Sequence, residues 1–487
     1  MTAAKSKFLL VVFDGLRREL ITPERMPNLD RFRRQGVDCP ESRSAMPSET
    51  RVQVSSFVSG CYAGGHGIMG NSFYDPVLGL KGPMDTSDLV TMQIAEKMYP
   101  DGVFAADDLG GLLHHAGLKL VTASTGKIGN ARLLNYNAAQ RDQVAYSIHG
   151  AGVSSPAANH AEIEAQFGPV PSSDLPHVGL SDYLTTLILE HFLPRHNPDV
   201  LIAWYSEPDM SYHYRGIGSA EADAAMSGVD EAFGRLLDWW EAEGKADGWQ
   251  IIAASDHAHI TVTGRFDIAE EMQAAGFKVG SAIGPDVDVA VTTGYAGTVF
   301  VRERQADLVD SVLAWMQEQP HLGMLLARNG HGLESGAFDL GAIGMTGPRA
   351  PDIFYIGRTS DEVDMHGLNG SCLNGNNSLP IGGSTHGGLH PKELNNFLSF
   401  GGDRFQSAQR YTGACGVVDV APTILDGLGI RAPYSMHGRS LMSALTCGAV
   451  EQAEKRWEIG RGQYQQELSI TTVPGGHMYI NGGRRLQ

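Results

Sequence analysis

The sequence predicts an α/β fold: a mostly parallel central sheet with helices on both faces and an inserted α+β cap subdomain. Three observations predict it. Short β-rich apolar runs alternate with amphipathic helical stretches, the pattern of parallel strands joined by crossover helices. Hydrophobic residues make up 42% of 487, ample for a sizeable buried core. Between about 260 and 345 the character changes to a helix, a turn-linked pair of strands and a second helix.

The clearest strands are Phe8–Phe13, Leu118–Ala123, Val200–Tyr205 and Gln250–Ser255. Helices are expected at Thr50–Ser59, Leu180–Phe192, Glu221–Ala242 and Val417–Leu428. The second carries Leu187, Leu189 and Phe192 near helical spacing, and Pro194 is expected to close it. In the cap, Asp267–Ala275 reads as helix, Val287–Thr293 as an alternating strand, and Gly294–Gly297 as a turn into a strand ending at Val301. A helix from Gln305 to Gln317 follows. Leu368–Gly388 is rich in Gly, Asn and Ser and is expected to be a long functional loop. These boundaries divide the chain into a catalytic core (1–259 and 346–446), a cap (260–345) and a weakly periodic tail (447–487).

The balance of 37 basic against 55 acidic residues, a formal charge of −18, excludes a nucleic acid polymer as a bulk partner. A small anion remains compatible, because bound cations reverse a local potential. Cys39, Cys61, Cys372, Cys415 and Cys447 lie far apart with no CxxC pair, as reduced thiols do. The Phe8–Phe13 run is too short for a secretory signal and meets Asp14, Arg17, Arg18 and Glu19 at once. No stretch approaches the roughly 18 apolar residues of a membrane span. The expected location is therefore the cytoplasm, with no membrane partner; association into a homo-oligomer is left open.

Three aspartates stand on or just beyond strand ends: Asp14, Asp209 and Asp256. The carboxyl ends of strands form the ligand crevice of an open parallel sheet, although an aspartate there is often only a cap or turn former. Histidines strengthen the ligand reading. His213 follows Asp209 by four residues, which suits one helical turn, and His257 follows Asp256 directly. His386 lies in Gly382-Gly-Ser-Thr-His-Gly-Gly388, where glycines permit close backbone approach. Mixed imidazole and carboxylate donors suit zinc, with manganese or iron as alternatives. Thr50 follows Ala45-Met-Pro-Ser-Glu49 and is expected in a partly exposed turn at a helix N-terminus, where N–H groups favour a phosphoryl oxygen. The competing reading is a simple cap.

Together these segments resemble the alkaline phosphatase superfamily, and most closely its type I phosphodiesterase and nucleotide pyrophosphatase branch. Val12-Phe-Asp-Gly15, Pro47-Ser-Glu-Thr50, Ser59-Gly60, His66-Gly-Ile68, Asn71, Glu207-Pro-Asp209 with His213, Ser255-Asp-His257 and Thr385-His-Gly387 run in family order. Val418–Ile424 and His437–Leu441 resemble its C-terminal elements. The resemblance implies two divalent ions, one held by Asp209, His213 and His386, the other by Asp14, Thr50, Asp256 and His257. It further implies that Thr50 attacks phosphorus to give a phospho-threonine, and that Asn71 hydrogen-bonds the phosphoryl oxygen. The substrate is then a small anionic phosphorus ester, a phosphate diester first.

Sibling activities leave different marks. Sulfatases of the superfamily place Cys or Ser at the nucleophile, followed by x-Pro-x-Arg; here Thr50 is followed by Arg51, Val52, Gln53 and Val54. Phosphonoacetate hydrolases hold a carboxylate with lysines after a Val-Thr-Ala strand, and Val121-Thr-Ala123 with Lys127 and Arg132 is a loose match. That activity, or phosphomonoester hydrolysis, is the alternative; a non-catalytic metal-binding protein on this fold is the reading from another class. Many nucleotide pyrophosphatases carry an aromatic ring directly after the nucleophile. Arg51 stands there instead, with Tyr74 and Tyr205 as candidate aromatic walls. Arg51 and Lys127 are accordingly candidate binders of an anionic substrate group, unless Arg51 is solvated or paired with Glu49.

Overall fold

Along β1 (Lys7–Phe13), Phe8, Leu10 and Val12 enter one apolar core while Leu9, Val11 and Phe13 enter another. Side chains alternate across a sheet, so a strand apolar at every position needs a covering layer on each face. The computed structural model describes residues 6–99, 102–328, 335–447 and 451–486; the side chain of Cys447 lies outside the described residues. Helices supply both layers. Thr50–Ser59 and Val420–Gly427 cover one face, Val178–Leu187 and Ala220–Trp239 the other.

The remaining strands of the sheet are β2 (Val37–Asp38), β3 (Leu120–Ser124), β4 (Val144–Ser147) and β5 (Val200–Tyr205). They are followed by β6 (Trp249–Ala254), β7 (Leu398–Gly401) and β8 (Gln409–Arg410). Their spatial order is β8-β2-β7-β6-β1-β5-β3-β4. The pairs from β6 through β4 are all parallel, while β7 is antiparallel to both its neighbours. Phe13 lies opposite Tyr205, and Val12 opposite Ala254. Three strands thus end level at one edge, and Asp14, Ser206 and Ser255 leave it side by side.

A six-stranded sheet with a core of its own follows, in the order Val279–Gly280, Val289–Val291, Ala296–Val301, Ile353–Gly357, Leu322–Ala327, Phe338–Asp339. The Ala306–Glu318 helix packs Val309, Val312, Leu313 and Met316 into that core. Its fourth strand, Ile353–Gly357, comes from beyond residue 345.

Three local expectations change. Pro194 does not close its helix: a wide turn at Ile188–Phe192 shifts the ladder, and Pro194 sits in the first turn of Leu193–His196, where its missing N–H costs no bond. The Leu368–Gly388 stretch is not all loop. Asn369–Asn374 pairs with Ile260–Arg265 in parallel, and Ser384–Thr385 pairs with the start of the same strand. These strands are mostly polar, with Cys372 in the main core, and backbone pairing rather than an apolar period holds them. Finally, the tail folds as a three-stranded antiparallel sheet, Ala453–Arg461, Tyr464–Val473 and His477–Arg485. Leu468, Ile470, Val473, Tyr479 and Ile480 bury themselves in the main core, and the Tyr479 hydroxyl donates to Asp419.

Candidate metal centre

Asp14 and Asp256 are fully buried, and each commits only one oxygen. The Trp204 indole N–H donates to Asp14 Oδ2 at 2.9 Å, and the Gly15 N–H donates to Asp256 Oδ1 at 2.9 Å. Asp14 Oδ1 and Asp256 Oδ2 have no hydrogen-bond partner. Both face His257 Nε2, at 3.6 and 3.2 Å, and Thr50 Oγ1 lies 3.3 Å from the same nitrogen. Burial, followed by repulsion from neighbouring carboxylates, raises the pKa of Asp14; burial raises that of Asp256 also. Unpartnered carboxylate oxygens buried beside one another are costly unless a cation joins them. The donor set and its orphaned oxygens fit a divalent ion.

A second cluster adjoins the first, with the rings of His257 and His386 stacked at 3.6 Å. Asp209, His213, His259 and His386 each bring a ligand atom within 4.8 Å of the others. Asp209 opens the Asp209–Arg215 helix, so His213 lies one turn on with its Nε2 3.2 Å from Asp209 Oδ1. Glu207, buried and with its pKa pushed up to about 7 by that burial, holds the helix start by accepting from Ser211 N and Oγ and from His177 N. His213 Nδ1–H donates to the Ser384 carbonyl at 2.8 Å, and His386 Nδ1–H donates to the Ser48 carbonyl at 2.7 Å. Those acceptors fix both tautomers and turn an Nε2 lone pair inward. Burial and the neighbouring imidazoles keep His386 far below its ordinary pKa, hence neutral and ligand-ready. Burial lowers the pKa of His213 as well, yet the Asp209 carboxylate outweighs it and the net shift is upward.

His259 did not emerge from the sequence reading, although its alternation with His257 after β6 was the available signal. It is fully buried, and burial lowers its pKa to about 3. Its Nε2 lies 2.8 Å from Asp209 Oδ1, its Nδ1 2.9 Å from Ser384 Oγ. Ligands about 2.0–2.1 Å from a tetrahedral zinc stand about 3.3 Å apart. Nε2 of His213 and His386, at 3.2 and 3.5 Å from Asp209 Oδ1, match that edge; His259 matches a hydrogen bond to the carboxylate. Gly15, at φ +72°, makes room for both groups, since a Cβ there would stand 2.7 Å from His259 Nε2 and 2.9 Å from Asp209.

A profile of the type I phosphodiesterase / nucleotide pyrophosphatase family matches residues 8–274, more than half of the chain. The chain belongs to that family. Bis(5'-adenosyl)-triphosphatase enpp4 of Xenopus laevis is 39% identical over 69 residues, and human ENPP4 is 37% identical over 71. These stretches cover 14–15% of this chain and 15–16% of those relatives. Among solved structures, murine ENPP5 superposes with a TM-score of 0.61 at 16% identity, covering 88% of this chain and 96% of that one. Human ENPP5 gives 0.60 at 16%, covering 90% and 99%. Their likeness is one of fold.

In this phosphodiesterase-family chain Thr50 is buried in the first turn of its helix, not in the partly exposed turn the sequence suggested. Buried Gln53 ties the preceding segment by bonding Ala45 N and the carbonyls of Ala45 and Pro47. Asn71 Oδ1 accepts from the Arg51 N–H at 2.9 Å, which leaves its amide NH2 to donate elsewhere. A cavity of about 260 Å³ brings Asp14, Thr50, Arg51, Asn71, Lys127 and Asp209 together. A groove of about 660 Å³, lined by Tyr295, Ala296 and Thr298, reaches Asn71, His213 and His386 from another side. A third cavity, about 890 Å³, lies beside the C-terminal sheet and contains none of the residues of the two clusters. Three loose expectations fall away. Arg132 is tied to Glu96 and lines neither opening. Tyr205 is packed on Phe13 and bonded to Thr185, and Tyr74 is packed on Phe300, so neither forms an aromatic wall.

Proposed function

We propose that the chain hydrolyses small phosphate diesters, with two divalent ions bound and Thr50 as nucleophile. The observation that carries this is the convergence of Thr50 Oγ1, His257 Nε2 and the unpartnered oxygens of Asp14 and Asp256. Asp14, Asp256, His257 and Thr50 would hold one ion; Asp209, His213 and His386 would hold the other. Zinc suits this donor set, with manganese or iron as alternatives. Bound ions supply Lewis-acid polarisation and ease loss of the threonine proton. Thr50 Oγ1 then forms a bond to phosphorus as one ester P–O bond breaks and its alcohol leaves, taking up a proton. Water next attacks the phospho-threonine, the P–Oγ1 bond breaks, and the hydroxyl and a phosphate monoester are released. The Asn71 amide donates to a phosphoryl oxygen, since its carbonyl is already engaged by Arg51. The inserted unit, 260–345, serves as a cap whose Tyr295–Thr298 segment walls the larger groove.

The names of the relatives support the reading: ENPP4 is a bis(5'-adenosyl)-triphosphatase, and an inactive threonine-to-alanine form of murine ENPP5 is known in complex with AMP. Among the described residues no helix is long and apolar enough to cross a membrane, and the four described cysteines are free and buried. The cytoplasm stays the proposed compartment. The test is a screen of zinc- and manganese-loaded protein across phosphodiesters, phosphomonoesters, phosphonates and sulfate esters. Diesters should turn over fastest, and chelation should abolish turnover until metal is returned. Undiminished activity in metal-free protein would sink the proposal.

A further inference from the structure

Arg51 is buried differently from its peers. Arg17, Arg51 and Arg349 are all 6% exposed or less. Arg17 meets Glu19 and the Asn369 carbonyl; Arg349 meets Asp75 and the carbonyls of Gly67 and Val103. Arg51 donates from Nη2 to the Ser87 hydroxyl, its Nε, like that of Arg17, is buried without a partner, and the carboxylates that attract it, Asp85 and then Glu49, lie beyond ion-pair distance. A guanidinium has five N–H donors, and burying one with no carboxylate in contact is costly.

Asn130 adds a second observation. It is 1% exposed, its Oδ1 accepts from Ser124 Oγ at 2.9 Å, and its Nδ2 has no partner. Both residues line the 260 Å³ cavity that holds Thr50, and Lys127 stands exposed at its rim. Apart from Asp14 and Asp209, which belong to the metal clusters, the cavity has no carboxylate in its lining. Ile148, Leu180 and Met210 complete it with apolar surface.

We propose that this cavity is a second anion site, in which Arg51 and Asn130, with Lys127 at the rim, bind a carboxylate or phosphate carried by the ester substrate beside its scissile phosphorus. The site rests on the phosphodiesterase reading and narrows it to substrates with a small, anionic arm. Arginine's planar fork matches a two-oxygen anion, and the amide supplies a further donor. No base-stacking ring is needed, in keeping with the packed positions of Tyr74 and Tyr205.

Three 4-nitrophenyl phosphate diesters with one leaving group test it: an ethyl, a 2-carboxyethyl and a 2-phosphonooxyethyl ester, given to metal-loaded wild type, Arg51→Met and Asn130→Asp. The wild type should prefer at least one anionic ester over the ethyl ester in kcat/KM. Arg51→Met should lower that preference about ten- to hundredfold, as expected for one charge-assisted hydrogen bond. Asn130→Asp, nearly isosteric but with an acceptor in place of the donor, should lower it too. Which arm loses its preference identifies carboxylate or phosphate as the anion. An equal change for all three esters in both variants overturns the site while leaving the hydrolase intact. If no ester turns over, the hydrolase reading fails, and calorimetric binding of the same esters reads the site directly. Equal Kd values for ethyl and both anionic esters would then overturn it, and a preference abolished by Arg51→Met would uphold it.

Discussion

The two metal-capable clusters touch, yet they are built differently. Asp14, Asp256 and His257 issue from adjacent parallel strands whose register is set by the central sheet. Each carboxylate is held by a single donor close to the sheet, and its other oxygen is turned inward. The second cluster joins a short helix, the stretch after β6 and the segment that runs on from the Ser384–Thr385 strand, and it is oriented through Nδ1 contacts to Ser48 and Ser384. One cluster inherits its geometry from the central sheet, whereas the other depends on two carbonyls and a hydroxyl from segments outside that sheet. Glu393 shows how much those segments are braced. It is fully buried and accepts from Gly388 N, His390 N and the Tyr295 hydroxyl, with Ser48 Oγ at 3.3 Å.

The deepest break lies where the strand-end cluster meets the nucleophile. Thr50→Ala should lower turnover of any diester at least about a thousandfold, since a covalent route loses its nucleophile. Thr50→Ser should keep part of the rate. Wild-type turnover in the alanine variant would show that the nucleophile is misassigned.

Removing one ligand from each cluster tests their separateness. His386→Ala should release only the ion beside Asp209, leaving one equivalent by elemental analysis, and activity should fall by orders of magnitude. Asp256→Asn should release the other. Loss of both ions from either variant would mean that the clusters form a single cooperative site.

A finer comparison separates ligand from support at His259. His259→Gln retains a donor for Asp209, so the cobalt-substituted protein should keep the absorption spectrum of the wild type. His259→Leu loses the donor, and affinity for the ion at Asp209 should drop about 10–100-fold, the usual effect of losing a hydrogen bond that orients a ligand. A changed cobalt spectrum in the glutamine variant would make His259 a ligand.

The smallest effect concerns pH in the metal-free protein. Asp14 and Asp256 have raised pKa values, and burial takes Glu207 and Glu393 to about 7. The folded state therefore retains protons that the unfolded chain has lost above its carboxyl pKa of about 4.3. These carboxyls lower stability as pH rises from there toward about 7, whereas His259 and His386, held neutral below the imidazole pKa of about 6.5, raise it over the same window. Glu207→Gln and Glu393→Gln each remove one carboxyl contribution and leave the imidazoles in place, so the wild-type midpoint of thermal unfolding should fall by a few degrees relative to each variant's across that window. A relative midpoint that rises instead would show that carboxyl to be ionised when buried.

Much of this was legible in the residues themselves. Apolar runs located β1, β5 and β6, and whatever follows a parallel strand emerges at the same edge, so Asp14, Asp209 and Asp256, with His257, could be placed at one crevice from the residues; their division between two ions came from the family resemblance alone. The i, i+4 spacing likewise placed Asp209 and His213 on one helical turn. Other features depended on contacts between distant segments. Polar strands at 369–374 and 384–385, and the C-terminal sheet, are stabilised by pairing and by packing on the core, which leave little or no local hydrophobic period. His259 joins the site because Asp209 and Ser384 arrive from 50 and 125 residues away. Arg51 could have been a solvated or ion-paired arginine by sequence. Only the folded chain decides that it is buried with a serine hydroxyl as its side-chain partner, because the presence of a counter-charge is settled by which segments pack around it.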